Sequence, residues 1–241
     1  MSARLIGVGT GPGDPELLTL KAVRAIGAAD VVAWFAKRGN ASNARAIAAA
    51  HFRPEQREEP LAYPVTTEID RHDPAYKAAI EAFYTEAADR LAVHLDAGRQ
   101  VAVLSEGDPL FYGSYMHLHV RLAPRYPTTV IPGITAMSGC WSAAGLPLVQ
   151  GDDVLTVLPG TLEQATLVQR LAGAEGAVIM KLGRNLPKVR AALAEAGRLA
   201  GAVYVERGTM AEGASLPLAD KRDDEAPYFS LVLVPGWRAR P

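Results

Sequence analysis

The stretch "LIGVGTGPGDPELLTLKA", residues Leu5 to Ala22, decides how the chain begins to fold. Its apolar start has the length of a strand, a loop of glycine and proline follows, and the last residues are typical of a helix. Asp14 before Pro15 predicts a helix N-terminus, because aspartate caps helices and proline is favoured at the first helical position. A strand, a loop and a helix in this order indicate an α/β domain.

The glycine spacing of this loop does not fit a phosphate-binding loop. In the dinucleotide pattern G-x-G-x-x-G the last glycine falls on Pro12 or Asp14, and no Lys-Ser or Lys-Thr follows for the G-x-x-x-x-G-K-[ST] pattern. The carboxylates of Asp14 and Glu16 would also repel an anion at the helix N-terminus. The loop therefore favours close approach of backbone to an uncharged or cationic ligand. A phosphate and a plain structural turn remain the alternatives.

The composition indicates a globular protein and excludes several classes of site. The 241 residues are 49% hydrophobic and 21% charged, enough to bury a core, and the net charge of −1 argues against a nucleic-acid partner. Cys140 is the single cysteine and the histidines are scattered, so we expect neither an internal disulfide nor a metal site. No signal peptide is evident and no apolar run reaches about 18 residues, so we expect a cytoplasmic protein without a membrane partner.

Apolar runs of strand length recur along the chain and alternate with helix-like stretches. Most of the runs do not alternate in polarity, which is typical of strands covered on both faces by helices. The stretch 74–97 has helical spacing, and 184–197 has Asn185 as a candidate cap and Gly197 as a candidate end. The predicted strands are 4–9, 30–35, 100–105, 128–133, 154–159, 176–181, 201–206 and 229–234.

These patterns predict an α/β fold of two domains with largely parallel or mixed sheets. Three prolines within residues 123–133 indicate a stiff connector, which gives an N-terminal domain of 1–123 and a C-terminal domain of 124–241.

Five glycine-bearing loops directly follow predicted strands. In open α/β sheets, ligands bind beyond the carboxyl ends of the strands, so parallel strands would bring such loops to one edge. Glycine there allows backbone groups to act as the ligands. The loops are "GTGPGD" (9–14), "SEGDPLFYGS" (105–114), "PGITA" (132–136), "KLGRN" (181–185) and "ERGTM" (206–210).

The first three of these loops, with the sequence that flanks them, carry a resemblance to a known family. "GVGTGPGDPELLTLKA", "SEGDPLFYGS" and "PGITA" resemble the signature loops of the tetrapyrrole methylases, the class III S-adenosylmethionine-dependent methyltransferases, and the likeness runs from about residue 4 to 234. It implies two α/β domains with S-adenosylmethionine held in a cleft between them, a tetrapyrrole substrate and a homodimer. This cofactor carries a sulfonium and no phosphate, in agreement with a loop that ends in Asp14.

The resemblance also assigns residues that contact the cofactor. Asp108 could instead cap a following helix, and Met180 could be a core residue, as methionine in an apolar strand usually is. The residues that match the family's cofactor contacts are Pro12, Glu106, Gly107, Asp108, Phe111, Thr135, Ala136, Met180, Gly208 and Thr209.

Methyl transfer to carbon needs a base for the proton of the attacked carbon, and much of its rate can come from alignment. In related uroporphyrinogen methylases an aspartate follows the second strand in a pattern like "ADVVxYD", but this chain reads "ADVVAWF", with Phe35 in that place. That role therefore cannot be carried over. Glu106 and Tyr112 are the remaining candidates for assisting proton removal.

The substrate that the resemblance implies has eight carboxylates, so a chain of net charge −1 must concentrate cations locally. Lys37 and Arg38 follow the second strand, and Arg184 and Lys188 flank the start of a helix. These four residues are candidates for pairing with the carboxylates. A solvated basic face is the alternative for each of them.

Three other functions remain open at this point. A methyltransferase of the same fold could act on ribosomal RNA, although the net charge gives no support for it. A tetrapyrrole carrier without catalysis would fit the aspartate missing at Phe35, and a nucleotide-phosphate enzyme would need the first loop to hold a phosphate. Within the favoured reading, the sequence does not separate a metal-free from a cobalt-chelated substrate.

Overall fold

The computed structural model describes residues 3–64 and 73–236 and divides into two compact units, Met1–Thr135 and Ala136–Pro241. The prolines of 123–133 do not link the two units, because the strand Thr128–Ile131 within this segment pairs with the first strand of the chain. The domain boundary predicted after residue 123 therefore falls too early. The expected class, two α/β domains with parallel and mixed sheets, is confirmed.

The first unit is a five-stranded parallel sheet in the order β3-β2-β4-β1-β5. One face packs against α3 and α4 and the other against α1 and α2, which explains why its central strands are apolar on both faces. Its elements are β1 Arg4–Gly9, α1 Leu20–Ala28, β2 Val31–Lys37, α2 Asn43–Ala48, β3 Arg57–Tyr63, α3 Pro74–Asp96, β4 Gln100–Ser105, α4 Tyr115–Leu122 and β5 Thr128–Ile131.

The second unit is a mixed sheet in the order β6-β7-β10-β8-β9. Strands β6 and β7 are parallel, and β10 runs antiparallel to both β7 and β8. Helices α6 and α7 cover one face and α5 packs on the other. Its elements are α5 Ala136–Ala143, β6 Leu155–Pro159, α6 Gln164–Ala172, β7 Gly176–Met180, α7 Leu186–Glu195, β8 Val203–Glu206, β9 Ala214–Pro217 and β10 Ser230–Val234.

Two strands, β3 and β9, were not predicted, and both lie at sheet edges. The sequence of β3, "REEPLAY", is charged and contains Pro60, which cannot donate a ladder hydrogen bond and is tolerated only where one side is unpaired. Strand β9 has four residues, most of them exposed. Edge strands need no apolar run, so the pattern that found the central strands misses them.

The helix 184–197 is confirmed as α7, with two differences at its start. A three-residue 3₁₀ turn, Gly183–Asn185, precedes it, and Asn185 does not cap the helix. The Asn185 amide instead donates to the carbonyls of Lys181 and Leu182. Gly197 ends the helix at a φ of 68°, as expected of glycine. Among the described residues, no helix is long and apolar enough to span a membrane.

Candidate active site

Three glycine loops of the first unit meet at the carboxyl edge of its sheet, because they follow the adjacent parallel strands β4, β1 and β5. Gly11 and Gly107 exchange two backbone hydrogen bonds, with N···O distances of 3.3 and 2.8 Å. Thr10 donates to the carbonyl of Ser105 through both its amide, at 2.8 Å, and its hydroxyl, at 3.1 Å. The convergence expected of these three loops is confirmed.

The loops approach so closely that side chains are excluded at the crossing. A Cβ atom on Gly133 would lie 2.0 Å from the carbonyl oxygen of Gly107, and one on Gly9 would lie 2.5 Å from the amide nitrogen of Gly133. Both distances are far below van der Waals contact, and the opposing atoms are backbone, which cannot rotate away. The edge is therefore built from bare backbone, which is suited to recognising a ligand through N–H and C=O groups.

Both carboxylate oxygens of Asp108 accept hydrogen bonds within this loop cluster. One oxygen accepts from the amide of Leu110 at 2.9 Å and the other from the amide of Gly133 at 3.1 Å. The side chain thus ties the β4 loop to the β5 loop.

The helix predicted at Asp14 does not begin there. Asp14 caps only a three-residue 3₁₀ turn, Pro15–Leu17, and accepts from the amide of Glu16 at 2.8 Å. The α-helix starts at Leu20, where the Thr19 hydroxyl accepts from the amide of Ala22 at 3.1 Å. The partial positive charge of a helix N-terminus therefore lies at Thr19, where α1 begins, and not at the glycine loop. The mismatch between the glycine spacing of the loop and the phosphate-binding patterns is unaffected.

Glu106 faces helix α2. Its carboxylate accepts hydrogen bonds from the Asn43 side chain and from the backbone amide of Ala44, and its burial raises its pKa despite them. The side chain links the β4 loop to the segment that carries Lys37 and Arg38. This geometry gives Glu106 a role in positioning, in addition to the catalytic role considered from the sequence.

The pH dependence of Glu106→Gln tests this burial. A raised pKa means that the fold favours the protonated acid, so wild type loses stability relative to the variant as the pH rises above the ordinary glutamate value of 4.5. Glutamine keeps an oxygen for Asn43 and Ala44 but does not titrate. We expect the unfolding free energy of wild type minus that of the variant, measured by urea denaturation, to fall between acidic and neutral pH. A difference independent of pH would contradict a buried, titrating carboxyl.

Three residues other than glycine adopt a positive φ within the described part of the chain: Tyr112 at 55°, Lys181 at 57° and Arg207 at 47°. All three lie in loops singled out from the sequence, after β4, β7 and β8. The left-handed region disfavours side chains, and such strain concentrates at functional sites. Tyr112 is 46% exposed, and its ring packs edge-on against Phe111 at 4.9 Å.

In the second unit, the loops after β7 and β8 share one edge, on either side of the start of β10. Ser230 of β10 lies opposite Glu206, and Val232 lies opposite Ile179. Strands β7 and β8 therefore run in the same direction, and the loops that follow them leave the sheet at the same edge. The predicted convergence of the loops after β7 and β8 is confirmed within this unit.

Cys140, which the sequence did not single out, organises the β8 loop. A Cβ on Gly208 would lie 2.9 Å from the Cys140 sulfur, so helix α5 packs directly on the glycine. Met180 lies beside the same apolar cluster, and Ala136 is the first residue of α5. Burial raises the pKa of Cys140 to about 11, which keeps the thiol protonated and unreactive. The Thr209 hydroxyl is buried and has no hydrogen-bond partner among the described residues.

The predicted cations lie on the surface. Lys37 and Arg38 are exposed at the end of β2, Arg184 is exposed in the 3₁₀ turn before α7, and Lys188 is partly buried in α7. Among the residues in 3–64 and 73–236, no cluster of histidine, cysteine and acidic side chains could hold a metal ion.

A model of the Tetrapyrrole (Corrin/Porphyrin) Methylases matches residues 4–218. The chain belongs to this family. As a tetrapyrrole methylase it is a methyltransferase. The glycine loops that resemble those of the family are the loops that form the backbone-lined edge described above.

Known tetrapyrrole methylases are similar over nearly the whole chain. The precorrin-2 C(20)-methyltransferase of a Sinorhizobium species is 70% identical over 238 residues, which cover 99% of this chain and 97% of that protein. The cobalt-precorrin-2 C(20)-methyltransferase of Salmonella typhimurium is 29% identical, and the match covers 97% of this chain and 97% of that protein. The uroporphyrin-III C-methyltransferase of Thermus thermophilus, solved with S-adenosylhomocysteine, has a TM-score of 0.66 at 23% identity and covers 95% of this chain, 96% of its own. It shares the fold.

Proposed function

We propose that this tetrapyrrole methylase transfers a methyl group from S-adenosylmethionine to C20 of precorrin-2, giving precorrin-3A in cobalamin biosynthesis. The observation that carries the proposal is the 70% identity with a precorrin-2 C(20)-methyltransferase over 99% of the chain. The stretches "MKLGRNLPKVRAAL", "VYVERGTM" and "APYFSLVLV" resemble that enzyme in particular. The relative from Salmonella supports cobalt-precorrin-2 as the alternative substrate.

The loops fit S-adenosylmethionine, which supplies a methyl group on a sulfonium. In the first unit, Pro12 would lie against it, and Glu106, Gly107 and Asp108 would contact it through main chain, beside the crossing where side chains are excluded. The buried Thr209 hydroxyl, which has no partner within 3–64 and 73–236, supports a ligand beside the β8 loop, because such a group is costly unless something bonds to it. Phe111, Thr135, Ala136, Met180 and Gly208 complete the proposed contacts.

We propose that Tyr112 and Glu106 assist the removal of the proton from the carbon that is methylated. Because the Glu106 carboxylate already accepts from Asn43 and Ala44, we assign it a positioning role, and Tyr112, which is 46% exposed, is the other candidate for assisting proton removal. Lys37, Arg38, Arg184 and Lys188 are proposed to bind substrate carboxylates, and KM for the substrate should then rise with salt. Full activity in both Tyr112→Phe and Glu106→Gln would exclude both as proton acceptors.

Ligand binding followed by mass spectrometry tests the proposal. We expect S-adenosylhomocysteine to bind in titration calorimetry, whereas NAD and ATP do not, since the glycine loop lacks phosphate-binding spacing. Incubation with S-adenosylmethionine and precorrin-2 should add one methyl group, and NMR of the product should locate it at C20. Parallel incubations with cobalt-precorrin-2 separate the two substrates, and sedimentation of the same sample tests the homodimer that the resemblance implies.

Binding of S-adenosylhomocysteine without methyl addition would support the cofactor and remove the substrate. Binding of NAD or ATP in its place would overturn the proposal, because the first glycine loop would then hold a phosphate.

A further inference from the structure

An aromatic pair lies at the carboxyl ends of β2 and β3, next to the glycine loops of the first unit. Phe35 and Tyr63 stack with ring centroids 5.7 Å apart and an angle of 21° between their planes. Phe83 and Tyr84 of α3 pack against them, with the Phe83 ring 4.8 Å from that of Tyr63. The sequence marked Phe35 only as a missing aspartate and did not mark Tyr63.

Strand register places this pair on the edge that carries the β4 loop. Lys37 lies opposite Tyr63, and Trp34 lies opposite Leu104, so Phe35 is level with Ser105, where β4 ends. The hydroxyl of Tyr63 donates to the hydroxyl of Ser114, the residue that precedes α4. The pair therefore continues the row of loops along the same sheet edge.

The two rings form the outer end of the core. Phe83 and Tyr84 are buried, at 7% and 5% exposure, whereas Phe35 and Tyr63 are only partly buried. Aromatic rings at a core boundary offer a flat apolar contact to a second conjugated ring system.

The polar groups around the pair suit a flat ligand with an anionic rim. Lys37 and Arg38, both exposed, come directly after Phe35 and Ala36. Ser105, level with Phe35, is 5% exposed, and its hydroxyl has no hydrogen-bond partner among the described residues. An apolar ring pair flanked by cations fits a macrocycle that carries carboxylates around its edge.

We propose that Phe35 and Tyr63 contact the face of the tetrapyrrole macrocycle and that Lys37 and Arg38 pair with carboxylates at its rim. This inference rests on the proposed function, since it concerns the substrate of the same site.

Phe35→Leu removes one ring of the pair and keeps an apolar side chain. Binding of uroporphyrin, a stable octacarboxylic porphyrin, is measured by quenching of its fluorescence, and KM is measured with precorrin-2. We expect affinity to fall about fivefold, the range of a lost aromatic contact, and KM to rise in parallel. Binding of S-adenosylhomocysteine should change by less than about twofold. Phe35→Tyr should restore porphyrin affinity, because it restores the ring.

Phe83→Leu is the matched control, since it removes a ring of the same cluster that is buried. We expect it to lower the melting temperature while porphyrin affinity stays within about twofold of wild type. Equal losses of porphyrin affinity in Phe83→Leu and Phe35→Leu would overturn the inference, because packing alone would explain them. Tyr63→Leu provides a second variant if Phe35→Leu fails to fold.

The outcomes for wild type separate this inference from the proposed function. Wild type that binds S-adenosylhomocysteine but does not methylate precorrin-2 would overturn the proposed function, and this inference with it. Wild type that methylates precorrin-2, with Phe35→Leu and Tyr63→Leu both unchanged in KM and porphyrin affinity, would overturn only the contact assigned to the aromatic pair.

Discussion

Gly133→Ala is expected to abolish measurable binding of S-adenosylhomocysteine and to lower the stability of the first unit. The added Cβ would lie 2.0 Å from the Gly107 carbonyl oxygen and 2.9 Å from the Gly9 Cα, so the β5 loop must move away from both neighbours. Overpacking of this kind costs about 1–3 kcal/mol. The movement also breaks the hydrogen bond from the Gly133 amide to Asp108. Calorimetric titration and thermal unfolding measure the two effects.

Gly27→Ala is the control for this substitution. Gly27 lies within α1, and a Cβ there would meet no atom within 4 Å. Alanine is the better helix former by about 1 kcal/mol, so we expect equal or higher stability and unchanged binding. If Gly133→Ala bound S-adenosylhomocysteine as tightly as Gly27→Ala, the junction of three loops would not form part of the cofactor site.

Gly7→Ala is expected to destabilise the protein by about 1–3 kcal/mol through a clash inside the core. The new Cβ would lie 2.4 Å from the Tyr115 ring, and Tyr115 has no exposed surface, so the ring has no free direction in which to swing. Glycine in the middle of the interior strand β1 is thus required by the ring that lies on it. Urea denaturation measures the loss.

A double-mutant cycle with Tyr115→Leu tests this cause. Tyr115→Leu alone should also destabilise, because it leaves a cavity over Gly7. The double variant should be less destabilised than the sum of the two single variants, since the methyl group of alanine fills part of the vacated space. Additive losses would show that the clash with Tyr115 is not the reason for glycine at position 7.

The central strands and the glycine loops were predictable because their signals are local. A strand buried on both faces must be apolar along its length, and β1, β4, β7 and β10 are continuous apolar runs in the sequence. The edge strand β3 is charged and was missed, since only its pairing partner β2 makes it a strand. The three prolines of 123–133 predict a connector, but the segment contains β5, whose place in the first sheet depends on pairing with the distant β1.

Contacts between distant segments decided the roles of individual side chains. Glu106 and Asp108 lie two residues apart in one loop, but the fold directs one to the start of α2 and the other to the β5 loop. Phe35 and Tyr63 are far apart in the chain and stack because β2 and β3 are paired in register. No pattern within either segment contains that pairing.

By itself, the sequence determined the fold class and the loops in which backbone must be exposed, because these depend on which residues lack a Cβ or are apolar within a few positions of each other. The family was indicated by the resemblance of three of these loops to known signature loops. The tertiary structure alone decided the division after Thr135, the strained conformations of Tyr112, Lys181 and Arg207, and the burial of the Thr209 hydroxyl. These follow from strand order and register, which bring together residues that the chain keeps apart.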